Sequence, residues 1–161
     1  MSTAGRILIF GGIALALFGM LYGLYYAIFA EHQALDKMGG SLATAFVQAA
    51  DRDWEKSEYA LSAYRETKHN YVRQVDVHSH WIGLAMLMIV LGLIFDEVAF
   101  SERVRLVIAL AMLAGSVVFP LGVVLQTTRA VLFASTLAIA GSGLVILAMT
   151  ATAVGFIRQS A

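Results

Sequence analysis

The sequence contains no cysteine. That excludes disulfides, thiolate metal sites, iron–sulfur clusters and covalently attached haem. Proline occurs once, at Pro120, so little interrupts a long helix. Charged residues make up 14% of the 161 positions, well below the roughly 25% of soluble domains. Lys plus Arg and Asp plus Glu number 11 each. Without a basic excess there is no electrostatic footprint for nucleic acid. No glycine-rich phosphate loop, nucleophile elbow or zinc-protease helix occurs, so no enzyme class is marked.

What the sequence does have is long apolar runs, with 60% of residues hydrophobic. About 20 apolar residues cross a bilayer core as a helix. Four stretches meet that length: 7–30, 77–95, 104–125 and 131–157. The expected fold is an all-α integral membrane protein in one domain. It has four transmembrane helices and a helical extramembrane cap, 31–76, between helices 1 and 2. The first run exceeds the roughly 7–15 apolar residues of a signal peptide, so it reads as a span.

Short flanks set orientation through their Lys and Arg content. Arg6, Arg103, Arg105 and Arg158 fall on one side, and Arg129 falls alone in a tight turn on the other. Both termini are therefore expected in the cytoplasm, with 31–76 outside the cell membrane, or periplasmic in a Gram-negative cell.

Gly12, Ala16, Gly19 and Gly23 mark a close-packing face on helix 1. Ala134, Ala138 and Gly141 do so on helix 4. Such faces seat neighbouring helices, other membrane subunits or a second copy. In 31–76, helix 1 is expected to run on through Met38 and break at Gly39-Gly40, because glycine weakens helix interiors. Ser41 then caps a short helix to Ala50, and Asp53 caps a longer one. Trp54, Leu61, Tyr64, Tyr71 and Val75 recur at helical spacing and read as its packed face. Nothing separates that helix from helix 2, so 53–95 reads as one rod.

The cores of the spans hold no Asp, Glu, Lys, Arg or His. Ionisable residues in membranes mark ion paths and proton relays, so their absence speaks against a transporter, pump or intramembrane protease. Chemistry is expected at the outer face. The apolar run from Trp81 to Phe95 is too short to span unless it extends back to Val77. His78 and His80 then sit at the outer boundary, with His32 at a similar depth just past helix 1, and Arg129 at the same level.

Two cofactor readings follow. A haem b needs two axial imidazoles, supplied by His32 with His78 or His80, and a propionate partner, Arg129. A copper or zinc ion would take His32, His78 and His80 with Asp36. A His-x-His at the start of a helix resembles one in the catalytic subunits of haem–copper oxidases and nitric oxide reductases, over three residues only. Residues two apart on a helix point about 200° away from each other. His78 and His80 can share an ion only if the helix start is unwound, which favours haem. Either cofactor would serve electron transfer or redox and ligand sensing, with an outer-face redox partner.

The alternative is a cofactor-free accessory or scaffold subunit of a larger, respiratory-type membrane complex. His78 to Trp81 would then be an interfacial anchor. His69, beside Lys68, reads as a surface residue in both cases. A sensor with the cap as receptor would lack a cytoplasmic output domain.

Overall fold

The computed structural model of the protein describes residues 1–128 and 130–159. Among these the chain forms five α-helices and one short 3-10 turn, with no strand. They are α1 (Thr3–Phe29), α2 (Glu31–Ala50), α3 (Trp54–Ile94), the turn Phe95–Glu97, α4 (Glu102–Leu125) and α5 (Val131–Gln159). Four helices, α1, α3, α4 and α5, are long and apolar enough to cross a membrane. The chain is thus consistent with a multi-pass membrane protein.

α1 and α3 lie antiparallel along a seam of small residues. A Cβ on Gly5 would sit 2.9 Å from the Gly92 carbonyl oxygen. One on Gly12 would sit 2.8 Å from the Ala85 carbonyl oxygen. Gly19 meets His78 at the third position. The contacts recur every seven residues on both helices, the spacing that keeps one seam facing a partner along its length. α4 packs on both α1 and α3, and α5 packs almost wholly on α4. That last contact is also glycine-sealed. A Cβ on Gly122 would collide with the backbone of Ala138, and one on Gly141 with the backbone of Phe119. α4 continues as one helix through Pro120.

The end of the bundle that carries the termini is tied by capping. Ser2 Oγ accepts from the Gly5 N–H at 3.1 Å. The Ser2 N–H donates to Asp96 Oδ1 at 2.8 Å, which places a carboxylate at the positive end of α1. Hydrogen bonding from Ser2, followed by the terminal amine, holds the Asp96 carboxyl down at about 2. Arg105 bonds the Asp96 carbonyl at 3.0 Å and Glu102 at 2.8 Å.

At the other end α2 and the first half of α3 form a helical hairpin. Its turn is a Schellman motif: Asp53 N–H reaches the Gln48 carbonyl at 2.9 Å and Arg52 N–H reaches Ala49 at 3.0 Å. Arg52 takes the left-handed position with φ 60°, where glycine is usual. Asp53 caps α3 by accepting from the Lys56 N–H at 3.2 Å. The rod expected over 53–95 is present as α3, 41 residues without a break.

Two local expectations are corrected. The chain bends at Ala30, with φ −125° and ψ −31°, and not at Gly39-Gly40, which lie inside α2. The two glycines cost about 1 kcal/mol each in propensity, and packing of α2 on α3 outweighs that. The stripe Trp54, Leu61, Tyr64, Tyr71, Val75 is only partly the packed face: Leu61, Tyr64 and Tyr71 are half-buried, and Trp54 and Val75 are exposed. Ser57, Ala60 and Thr67 are buried, while Trp54 is 68% exposed. Small side chains allow α2 to lie close, and Ser57 Oγ donates to the Ala45 carbonyl at 3.0 Å.

Candidate functional site

The hairpin end of the bundle is where the polar groups meet the apolar helices. Tyr22, on α1, hydrogen-bonds Gln74 on α3. Tyr71 O–H donates to Glu31 Oε1 at 3.3 Å, linking α3 to the start of α2. Partial burial, and then the Glu31 carboxylate, hold the Tyr71 phenol above its ordinary range. Tyr26 lies 6.3 Å from the Tyr71 ring. Trp81 is buried, edge-on to Phe18 at 4.7 Å and to Tyr22 at 5.2 Å. This layer binds α1 to α3 where the seam of glycines ends. Gln74 carried no signal in the sequence, because a lone glutamine on a long helix marks nothing until its neighbour is known.

The histidines take separate places around that layer. His78 turns toward α1. Its Nδ1 donates to the Gly19 carbonyl at 2.9 Å, and its ring lies over Gly23, where a Cβ would collide with it. The half-buried imidazole thus has a hydrogen-bond partner, as a half-buried polar group requires. That partner is a backbone carbonyl, which no sequence pattern names. His80 turns the other way, toward α4, and stacks on Phe119 with centroids 4.7 Å apart. The helix is regular from Val77 through Trp81, so the two rings diverge as the 100° helical step dictates.

His32 is exposed in the first turn of α2, and Asp36 is exposed one turn later. Glu31, next to His32, meets α3 at Tyr71, seven residues or roughly 10 Å of helix from His78. His32 is therefore not at the level of His78. His69 is exposed on the hairpin, as expected of a surface residue. Arg129 lies outside the described residues. Among the described residues no three His, Asp or Glu side chains are grouped so as to hold a metal ion. The structure brings His78 to α1 and His80 to α4, and it does not bring His32, Asp36 or a second imidazole to either. His78 and His80 diverge because α3 runs through both without a break, and His32 and Asp36 belong to a separate helix.

Hollows flank the layer. A polar pocket of about 210 Å³ sits behind the Ala30 bend, between Lys37, Glu66 and Asn70. A larger apolar cleft of about 790 Å³ runs along α1 and α3 beside His78. The chain matches no protein-family model, and neither a curated protein nor a solved structure is significantly similar to it.

Proposed function

We propose that the chain is an accessory subunit of a membrane complex, working as a scaffold without a bound redox cofactor. Its bundle would sit in the cell membrane, and its hairpin would stand outside and hold a partner. The observation that carries this reading is the hairpin end. Phe46, Trp54 and Tyr59 are 69%, 68% and 79% exposed there, on helices fixed to the bundle by the unbroken α3. Large exposed aromatics are costly in water and are enriched where proteins bind one another. The arginine distribution supports the orientation. Arg6, Arg103, Arg105 and Arg158 lie at helix ends opposite the hairpin, and basic short flanks favour the cytoplasmic side, so both termini would lie there.

The test is native electrophoresis of the tagged chain extracted from its own membranes. Wild type should migrate in a larger assembly. A Phe46→Ala, Trp54→Ala, Tyr59→Ser variant should migrate free while keeping its thermal midpoint, since these side chains are exposed. Migration as a lone chain in both cases would end the reading.

A second reading keeps one observation in its favour. A haem b held by a single axial imidazole would need an anchored Nδ1 and a free Nε2, and His78 has both. A bis-histidine haem, or a copper or zinc ion shared with His32 and Asp36, has no such support.

A further inference from the structure

The apolar cleft between α1 and α3 has one polar side chain in its lining, and the state of that side chain is fixed by what it touches. A carbonyl oxygen only accepts hydrogen bonds. The 2.9 Å contact with Gly19 therefore places the proton of neutral His78 on Nδ1. Nε2 is left as a bare acceptor. It has no hydrogen-bond partner among the described residues. The ring cannot swing away toward α1, because Gly23 already holds its inner edge.

The walls around this acceptor are Met20, Leu21 and Leu24 on α1 and Ile82 and Met86 on α3. Met20, Leu21, Leu24 and Met86 are all more than half exposed, so the cleft opens sideways. In a bilayer that opening faces lipid. The volume of about 790 Å³ lies within the roughly 300–1,000 Å³ range of small-molecule clefts. Hydrocarbon along the cleft supplies no donor for Nε2, so at the outer boundary the donor has to come from water, a headgroup or a bound ligand.

We propose that the cleft binds a lipid-soluble amphiphile that carries a hydroxyl donor, the chemistry of a quinol. Its O–H donates to Nε2 of His78, and its ring and tail lie along Leu21, Leu24 and Met86. The site selects by hydrogen-bond polarity. An oxidised quinone offers only carbonyl acceptors, which would face the Nε2 lone pair. A glyceride with a free hydroxyl shares the donor, and phosphatidylcholine lacks it. This inference stands apart from the scaffold reading, since the cleft is on the bundle and not on the hairpin.

The experiment is calorimetric titration of the full chain in phosphatidylcholine nanodiscs, without oxygen. The titrants are a short-chain quinol, its quinone and a diacylglycerol. The quinol should bind on the order of five- to tenfold more tightly than the quinone, the value of one hydrogen bond. Leu21→Trp, which fills the cleft from its exposed lip and leaves the glycine seam untouched, should abolish quinol binding. His78→Phe should leave quinol and quinone equal. Diacylglycerol binding as tightly as the quinol and in competition with it supports the site and names a glyceride as its source. Equal binding of quinol and quinone to wild type overturns the proposal. So does quinol binding that survives Leu21→Trp, or a haem absorption band that His78→Phe removes.

Discussion

Glycine does opposite things in the two halves of this molecule. In the bundle, Gly5, Gly12, Gly19 and Gly92 are where α1 and α3 touch, and Gly115, Gly122 and Gly141 are where α4 and α5 touch. At all of these but Gly19 a neighbouring backbone occupies the space a side chain would need, and at Gly19 the side chains of Trp81 and Ile82 do. In the hairpin, Gly39 and Gly40 have nothing within 4 Å of where a Cβ would be. They sit in a helix at a cost, and the helix forms regardless. Where water drives association, α2 can dock on α3 through ordinary apolar burial. The four long apolar helices are consistent with lipid contact, and in lipid close van der Waals approach has to do that work. The same contrast separates the histidines. His78 is absorbed into the glycine seam, and His32 stands free on the hairpin.

The sharpest way to break this comparison is Gly12→Leu. Its Cβ alone would meet the Ala85 carbonyl at 2.8 Å, and backbone cannot yield. The expected loss is at least about 3 kcal/mol, the upper range for overpacking, read as a fall in the unfolding midpoint in detergent. Gly83→Leu, on the open face of α3, should cost nothing and should stabilise by up to about 1 kcal/mol. Equal effects at the two sites would dissolve the distinction. His78→Ala removes an interhelical hydrogen bond and should cost roughly 0.6–1.7 kcal/mol in the same assay, whereas His32→Ala should cost nothing measurable.

Gly39→Ala with Gly40→Ala should act in the opposite direction. It should stabilise α2 by about 0.5–1 kcal/mol per site and slow amide exchange there. A loss of stability would mean that the hairpin glycines also seat a neighbour. Asp96, exposed at the terminal end, should give the smallest effect. Its carboxyl is lowered to about 2 in the folded chain. Its contribution is therefore complete above the ordinary carboxylate value of about 4 and is lost as pH falls toward 2. Asp96→Asn should flatten the stability curve over that interval.

The four apolar helices and the long α3 were legible because hydrophobic run length and the lack of breakers are local properties. The bend was not. Gly39-Gly40 is the stronger local signal, but packing on α3 overrides it, and Ala30 carries no sequence mark. The glycines of helix 1 were visible as a packing face, yet the register that sets Gly5 against Gly92, Gly12 against Ala85 and Gly19 against His78 depends on the fold. The contact of His78 with α1 could not be read from the length of the apolar run, because it depends on the register of the two helices. The shared histidine level did not hold for His32, because α2 is a separate helix above the bend. Divergence of His78 and His80 was already implicit in helical geometry, and the structure keeps the helix regular.

The central claim is that the histidines serve packing and hydrogen bonding and do not converge on a redox centre. A reduced-minus-oxidised absorption spectrum of the purified chain, with metal analysis of the same sample, tests it most directly. The account predicts no Soret band and no stoichiometric copper, zinc or iron. A haem spectrum with split α bands, or about one metal per chain that disappears in His78→Ala, would contradict it.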